Sequence, residues 1–254
     1  MRGPRFTDKT ALVTGGGGGF GREISMLFAG EGAHVAVVDV NAEAAAATVD
    51  EVAAAGGSAR AHVVDLTDAA AVAALIDEIV ADRHRLDIAV NNAGIGGAVT
   101  PMAEYPLDAW QRVLDINLSS VFYCMRAELA AMVASGTGGA IVNTASIMST
   151  VAMPGISGYV ASKHAVLGLT RAAAVEYGSH GIRVNAVGPS FSRVGFTAEA
   201  LSEDAQWSGM AAQHPLGRTA VPLDVAEAVA YLSSDESSFV NGHLLNVDGG
   251  YINQ

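Results

Sequence analysis

Hydrophobic and polar positions follow two patterns that alternate along the chain. Short runs rich in β-branched residues are followed by longer alanine-rich stretches with the spacing of a helix. This alternation predicts βα units, which build a parallel sheet with helices on both faces. The predicted strands are Thr10–Thr14, His34–Asp39, Ala59–Val64, Asp87–Asn91, Gly139–Ala145, Ile182–Val187 and His243–Val247. The sequence therefore predicts an α/β fold around a doubly wound parallel sheet of about seven strands.

The predicted helices lie between these strands. They are Phe20–Gly30, Ala42–Ala55, Asp68–Asp82, Asp108–Ala134 and Ser157–Gly178, with two shorter ones around Thr197–Gln213 and Leu223–Ser233. Asn41 and Thr67 precede two of them and are expected to cap their N-termini. Because no linker or repeat of fixed period interrupts the pattern, residues 1–254 are expected to form a single domain.

Composition and charge exclude several classes of protein. Half of the 254 residues are hydrophobic and 16% are charged, which excludes an intrinsically disordered chain. The formal net charge of -12 argues against nucleic acid and anionic membranes as partners. No apolar run approaches the ~18 residues of a membrane span. Cys124 is the one cysteine and is expected in the core. Because it cannot form an internal disulfide, a cytoplasmic protein is predicted.

The segment Thr14–Gly21 is rich in glycine and lies between the first predicted strand and the first predicted helix. Glycine allows the backbone to approach a pyrophosphate closely, and the helix N-terminus presents free N–H groups to it. A flexible loop is the alternative interpretation. The position between strand and helix favours a dinucleotide site, and hence a fold of Rossmann type.

Asp39 ends the second predicted strand, 18 residues after Gly21. An acid near this offset accepts hydrogen bonds from the ribose hydroxyls of NAD, whereas its charge repels the 2′-phosphate of NADP. The alternative is a carboxylate that faces only solvent. NAD is therefore the expected cofactor, and the seven histidines show no metal-ligand spacing, so no metal site is predicted.

Tyr159 and Lys163 are four residues apart in a predicted helix, which places them on one face. An ammonium beside a phenol, with a cationic nicotinamide nearby, stabilises the phenolate and is expected to lower the pKa of Tyr159. A surface pair is the alternative. Ser146 ends a predicted strand thirteen residues earlier, and ligands bind at the carboxyl ends of strands in open parallel sheets.

Together with Asn91–Gly94 after the fourth strand and Asn117 in the next helix, these residues resemble the short-chain dehydrogenase/reductase family. The resemblance covers nearly the whole chain. It implies that Asn117, Ser146, Tyr159 and Lys163 form a catalytic tetrad. Ser146 would bind the substrate oxygen and Tyr159 would exchange its proton, while Lys163 would bind the nicotinamide ribose and Asn117 would support a water relay.

The resemblance also implies the cofactor contacts. These are Gly15, Gly19, Phe20, Gly21, Asp39, Asp65, Leu66, Asn92, Ala93, Gly94, Tyr159, Lys163, Val187 and Pro189. One segment departs from the family, which usually has Pro-Gly after this strand and a threonine four residues beyond the glycine. Here Pro189 is followed by Ser190, and Val194 occupies the threonine position, with Thr197 as a candidate substitute.

The function expected from these features is an NAD-dependent oxidoreductase that interconverts a secondary alcohol and a ketone by hydride transfer, with tyrosine as acid/base. One alternative is an enzyme like 3-oxoacyl-[acyl-carrier-protein] reductase, and another is a non-catalytic dinucleotide sensor. An acidic carrier would meet a strongly acidic enzyme, and a sensor would not need Ser146, Tyr159 and Lys163 together. A small-molecule alcohol or ketone is thus the expected substrate.

Two expectations concern larger surfaces. The predicted helices Asp108–Ala134 and Ser157–Gly178 have more apolar and small residues than one sheet face can bury. Together with the family resemblance, this surplus predicts a homotetramer with a second contact at Leu244–Tyr251.

Residues 190–213 mix small residues with large apolar ones such as Phe196 and Trp207. They are expected to form a mobile substrate lid, with a fixed amphipathic helix as the alternative.

Overall fold

Seven parallel strands form one sheet in the computed structural model, which describes residues 3–201 and 203–254. The strands are β1 Thr10–Thr14, β2 His34–Asp39, β3 Ser58–Val63, β4 Ile88–Asn91, β5 Gly139–Thr144, β6 Ile182–Pro189 and β7 Leu244–Val247. Their order is β3-β2-β1-β4-β5-β6-β7. The predicted doubly wound Rossmann-type sheet is confirmed. Strand β6 runs two residues further than predicted because Gly188 and Pro189 pair with β7.

Helices cover both faces of this sheet. They are α1 Gly19–Gly30, α2 Ala42–Ala54, α3 Ala69–Arg83, α4 Leu107–Leu114, α5 Ser120–Ser135, α6 Ser157–Tyr177, α7 Gly195–Ala200, α8 Asp204–Ala212 and α9 Pro222–Ser233. Across the part of the chain that the structure describes, no helix is both long enough and apolar enough to cross a bilayer.

Two predicted helices differ from those observed. The helix expected over Asp108–Ala134 is divided by a π-helical turn at Asp115–Ser119, which separates α4 from α5. The single helix expected over Thr197–Gln213 is wrong, because α7 and α8 are separate. A new helix begins at Asp204, where the side chain of Gln206 accepts a hydrogen bond from Glu203 N at 3.1 Å and so caps the N-terminus of α8.

The two predicted caps have different outcomes. Asn41 caps α2 as predicted, and its Oδ1 accepts hydrogen bonds from two backbone N–H groups. The prediction for Thr67 is wrong, since Asp68 caps α3 and accepts from Ala70 N at 2.8 Å. The Thr67 hydroxyl donates instead to Asp65 Oδ1 at 2.7 Å, which removes it from the helix terminus.

The hydrophobic core consists of two layers, one on each face of the sheet. Leu12 points into the layer formed with α3, α5 and α6, and the next residue, Val13, points into the layer formed with α1, α2 and α9. All five residues of β1 are buried, as expected for a central strand of a parallel sheet. Cys124 is buried in α5, where burial raises the pKa of its thiol, in agreement with the predicted core position.

The direction of strand addition reverses between β1 and β4. Strands β2 and β3 extend from one side of β1, and β4 to β7 extend from the other. The connecting helices therefore diverge at this point and leave a crevice above the carboxyl ends of β1 and β4. The residues that follow these strands, Gly15 and Asn92, thus lie at the position where doubly wound sheets bind their ligands.

A buried carboxyl group lies beneath this region. Glu128 in α5 is completely buried, and its Oε2 accepts a hydrogen bond from Asn91 Nδ2 at 3.1 Å. Asn91 Nδ2 also donates to Asn143 Oδ1, whereas Glu128 Oε1 has no hydrogen-bond partner. Burial raises the pKa of Glu128 to about 8, so the folded protein holds a proton there at neutral pH.

We expect this group to make folding stability fall with rising pH. Its pKa in the folded state is about 8, while an unfolded glutamate titrates near ~4.3, so between these values the folded state binds more protons than the unfolded state. The free energy of unfolding should then decrease through this window by at most about 1.4 kcal/mol per pH unit. Glu128→Gln should remove this contribution, as measured by urea unfolding at pH 5.5, 7 and 8.5.

The matched control is Glu104→Gln, because Glu104 is exposed. Its stability should follow that of the unchanged protein at all three pH values. Equal pH dependence in Glu128→Gln and the unchanged protein would contradict the assignment.

Candidate active site

The turn after β1 requires glycine at specific positions. Gly15 has a φ of +61°, and a Cβ on Gly21 would lie 2.1 Å from the Gly15 carbonyl oxygen. A Cβ on Gly17 would lie 2.7 Å from the Cβ of Ala44. A Cβ on Gly18 would meet no atom within 4 Å, so the turn is tightly packed on one side and open on the other. This open side, at the N-terminus of the 12-residue helix α1, fits a pyrophosphate group.

Asp39 is held beside this turn. Its Oδ2 accepts a hydrogen bond from Gly17 N at 3.0 Å, and its Oδ1 accepts one from Asn41 N at 2.9 Å. The carboxylate therefore has a fixed orientation at the end of β2, unlike a side chain that faces only solvent. Its charge lies against the backbone that would carry the cofactor phosphates.

The ends of β1 and β4 are joined through Thr14. Its Oγ1 accepts hydrogen bonds from Asn92 N at 2.8 Å and Ala93 N at 3.1 Å, and lies 3.3 Å from the Val90 carbonyl oxygen, to which it donates. Asn92 Nδ2 donates to the Thr14 carbonyl oxygen at 3.0 Å. This role of Thr14 is not predicted from the sequence, where a hydroxyl at the end of a central strand is the only local signal.

Tyr159 and Lys163 lie together at the start of α6, both buried. Lys163 Nζ lies 5.7 Å from the centre of the Tyr159 ring and donates a hydrogen bond to the Thr144 carbonyl oxygen at 2.7 Å. The pair is therefore part of a buried site at the carboxyl end of β5. The alternative of a surface pair is wrong.

In the protein alone, the pKa of Tyr159 is shifted in the opposite direction to the lowering expected beside Lys163 and a cationic nicotinamide, which stays a prediction for the loaded site. Burial raises the pKa of Tyr159 to about 12, and hydrogen bonding with Ser146 opposes the rise. Burial also lowers the pKa of Lys163 to about 8. The physical reason is that removing both groups from water disfavours their charged forms, and Lys163 directs its ammonium at a backbone carbonyl.

Ser146 follows β5 and is held by a short 3-10 turn, Ile147–Ser149. Its Oγ accepts a hydrogen bond from Met148 N at 3.1 Å, which fixes the hydroxyl close to Tyr159. Ser149 Oγ donates to the Lys163 carbonyl oxygen at 2.8 Å and so ties this turn to α6. The structure thus brings together Ser146, Tyr159 and Lys163.

Asn117 lies in the π-helical turn and is completely buried. Its Oδ1 accepts from Ile95 N at 2.8 Å, and its Nδ2 donates to the Ile95 carbonyl oxygen at 2.8 Å and to Ser162 Oγ at 3.2 Å. A Cβ on Gly94 would lie 3.2 Å from Asn117 Oδ1 and 3.6 Å from Lys163 Nζ. The side chain of Asn117 therefore positions the segment after β4 relative to α6.

The other proposed cofactor residues lie along the same edge of the sheet. Asp65 is exposed beyond β3, where hydrogen bonds from Thr67 hold its pKa below the usual range, and Leu66 packs against the core. Val187 and Pro189 lie in β6, paired with Leu245 and Val247 of β7. The positions of Gly19 and Phe20 at the start of α1 complete this edge.

The departure at Val194 has a structural counterpart. The Val194 side chain lies 3.8 Å from where a Cβ on Gly19 would be, so it lies beside the glycine turn. Thr197, the candidate substitute, lies within α7. The lid segment 190–213 thus begins against the turn and continues into α7 and α8, and its residue Ser202 lies outside the described residues. The mobility of this segment stays a prediction.

The C-terminal residues join the site from a distance in sequence. Tyr251 and Ile252 pack against an apolar cluster that contains Ile147, Met148 and Tyr159. From the sequence, the end of the chain is expected only in a subunit contact. No local pattern could have revealed this placement, because it depends on how β7 lies beside β6.

Comparison with known proteins agrees with this geometry. A family profile described as Enoyl-(Acyl carrier protein) reductase matches residues 16–252. A cyclohexanol dehydrogenase of Acinetobacter sp. (strain SE19) is 45% identical over 247 residues, which cover 97% of this chain and 96% of the relative. The chain belongs to the short-chain dehydrogenase/reductase family. It is an oxidoreductase of this family, and the resemblance stated from the motifs is confirmed.

Solved structures of the family extend the comparison. A gluconate 5-dehydrogenase from Beutenbergia cavernae, with NADP bound at low occupancy, is 40% identical with a TM-score of 0.93, covering 99% of this chain and 100% of that one. A carveol dehydrogenase from Mycobacterium avium in complex with NAD is 32% identical with a TM-score of 0.91, covering 99% and 100%. Short-chain dehydrogenases of this shape thus bind either dinucleotide.

Proposed function

We propose that this short-chain dehydrogenase oxidises a secondary alcohol to a ketone with NAD, and reduces the ketone in the reverse direction. The convergence of Ser146, Tyr159 and Lys163 at the carboxyl edge of the sheet carries this proposal. These buried groups lie at the same carboxyl edge of the sheet as a glycine turn that has space for a pyrophosphate on its open side. A dinucleotide sensor would not need a phenol, a hydroxyl and an ammonium arranged in this way.

NAD, when bound, supplies the carbon that accepts the hydride from the alcohol. Ser146 donates a hydrogen bond to the substrate oxygen, and its own hydroxyl is oriented by Met148 N. Tyr159 accepts the proton of the alcohol as it is oxidised and returns it in the reverse reaction. Lys163 holds its positive charge within 5.7 Å of the phenol ring and favours the phenolate electrostatically.

The preference for NAD rests on Asp39. Two backbone N–H groups fix its carboxylate beside the turn, so it cannot swing away from a ribose bound there. A 2′-phosphate at this position would meet a fixed negative charge. The ribose hydroxyls of NAD would instead donate hydrogen bonds to it.

The proposed substrate is a cyclic secondary alcohol of moderate size. The apolar cluster around Tyr159, to which the C-terminal residues contribute, favours a hydrocarbon ring over a highly hydroxylated chain. The similarity to a cyclohexanol dehydrogenase supports the same class. A carrier-protein substrate is disfavoured, because an acidic carrier would approach a chain with a net charge of -12.

We also propose a homotetramer. Phe122 on α5 and Val175 on α6 are large apolar side chains that are 49% and 86% exposed. Strand β7 is an edge of the sheet, and a groove of about 540 Å³ beside it is lined in part by Leu245 and Val247. Two separate surfaces of this kind allow two kinds of twofold contact.

Sedimentation equilibrium of the purified protein should give the mass of four 25.8 kDa chains. Val175→Glu should reduce this mass, because a charge would be buried at the proposed contact. A monomer mass for the unchanged protein would refute the tetramer.

Tyr159→Phe should lower turnover by at least ~10²-fold, because it removes the group that exchanges the substrate proton while it keeps the ring. Binding of NADH, followed by fluorescence, should change little. The control is Tyr231→Phe, which alters a partly exposed tyrosine on α9 and should leave turnover unchanged. Retention of most of the turnover by Tyr159→Phe would exclude Tyr159 as the acid/base.

The unchanged enzyme should have a higher kcat/KM with NAD than with NADP. Asp39→Asn keeps an acceptor oxygen for Gly17 N but removes the charge. It should lower the ratio of kcat/KM with NAD to kcat/KM with NADP by at least ~10-fold, and Asp39→Ala should lower this ratio as well. Steady-state kinetics with both cofactors measures this ratio, with Asp50→Asn on the exposed surface of α2 as the control. An equal or higher kcat/KM with NADP in the unchanged enzyme would overturn the assignment.

A further inference from the structure

The aromatic ring of Phe196 lies directly against the proposed acid/base. The ring centres of Phe196 and Tyr159 are 5.4 Å apart and the rings meet edge to face at 62°. Phe196 is nevertheless 41% exposed, so part of its surface is free to contact another molecule. It is the only aromatic side chain of α7.

Two glycines explain how the Phe196 ring reaches Tyr159: Gly195, which precedes it in the chain, and Gly96, against which the ring packs. Gly195 has a φ of +56°, which turns the chain sharply after Val194 leaves the glycine turn. On the opposite side, a Cβ on Gly96 would lie 2.8 Å from Phe196 Cδ2 and 3.3 Å from its Cγ. Such a distance is too short for packed carbon atoms, so the ring occupies space that exists because residue 96 has no side chain.

We propose that Phe196, seated on Gly96, forms an aromatic wall beside Tyr159 that makes the enzyme prefer alcohols whose carbinol carbon belongs to a saturated ring. This inference rests on the proposed alcohol dehydrogenase function and identifies a residue that determines specificity within it.

The preference follows from the shape and the entropy of the substrate. A saturated six-membered ring presents a broad, rigid hydrocarbon face that can pack against the phenyl ring in one orientation. An open chain of the same carbon number must fix several rotatable bonds to make a similar contact. Since the cyclic alcohol gains more from the contact with Phe196 than the open-chain alcohol does, removal of the phenyl ring should weaken its binding more.

The experiment compares cyclohexanol with 2-hexanol as substrates for four enzymes: unchanged, Phe196→Ala, Gly96→Ala and the double variant. For the unchanged enzyme, kcat/KM for cyclohexanol should exceed that for 2-hexanol at least tenfold. Phe196→Ala should reduce this ratio to below threefold. Gly96→Ala should reduce it similarly by displacing the ring, and the double variant should lie within twofold of Phe196→Ala.

Phe239→Ala is the matched control, because Phe239 is fully exposed in the turn after α9 and should keep the ratio of the unchanged enzyme. Circular dichroism melting establishes that each variant is folded. If Phe196→Ala lowers kcat/KM equally for both alcohols, the proposed role of Phe196 is wrong. It is also wrong if Gly96→Ala lowers the ratio as much in the Phe196→Ala variant as in the unchanged enzyme.

A second measurement separates this inference from the proposed function. Calorimetric titration of cyclohexanone and 2-hexanone into the enzyme with NAD requires no turnover. Phe196→Ala should weaken binding of cyclohexanone at least fivefold and that of 2-hexanone less than twofold. If no alcohol is oxidised, the proposed function fails while this titration still tests the wall, and equal weakening of both ketones would reject it.

Discussion

The hydroxyl of Thr14 joins the carboxyl ends of β1 and β4, and the geometry of the whole site depends on this junction. It accepts hydrogen bonds from two consecutive backbone N–H groups after β4, where the order of strands reverses. The reversal opens a crevice, and these bonds fix its two sides relative to each other. The glycine turn on one side and the segment leading to Ile95 on the other thus keep a constant separation, which a ligand that bridges them requires.

From this junction, polar groups extend into the protein without contact with bulk water. Asn117 joins the segment after β4 to α6, and Lys163 joins α6 to the end of β5. The strands and α6 are therefore connected by hydrogen bonds as well as by apolar packing. Unpaired polar groups would be costly at such depth, so the bonds select a single arrangement of the site.

The same burial determines how the ionisable groups behave. It raises the pKa of Tyr159 and lowers that of Lys163 to about 8, so burial moves each group towards its neutral form relative to water, while Lys163 stays charged at neutral pH. Glu128, below the junction, follows the same rule and is protonated at neutral pH. The chemistry proposed for Tyr159 thus depends on the charges that surround it during the reaction, and Lys163 supplies one of them, 5.7 Å from the centre of the ring.

The local patterns of the chain determined the strands, most helices and the main candidates of the site. Alternation of βα units predicts the sheet because each buried parallel strand needs a continuous apolar run. The glycine turn, Asp39 and the pair Tyr159 and Lys163 are recognisable because their chemistry depends on neighbours in sequence.

Tertiary structure alone decided what depends on residues far apart in the chain. This includes the hydrogen bonds of Thr14 and Asn117, the placement of Tyr251 beside Tyr159, and the packing of Phe196 against Gly96. The direction of the Tyr159 pKa shift belongs to this second group, because the spacing of Tyr159 and Lys163 shows that they are close but only the packed structure shows how completely water is excluded from them.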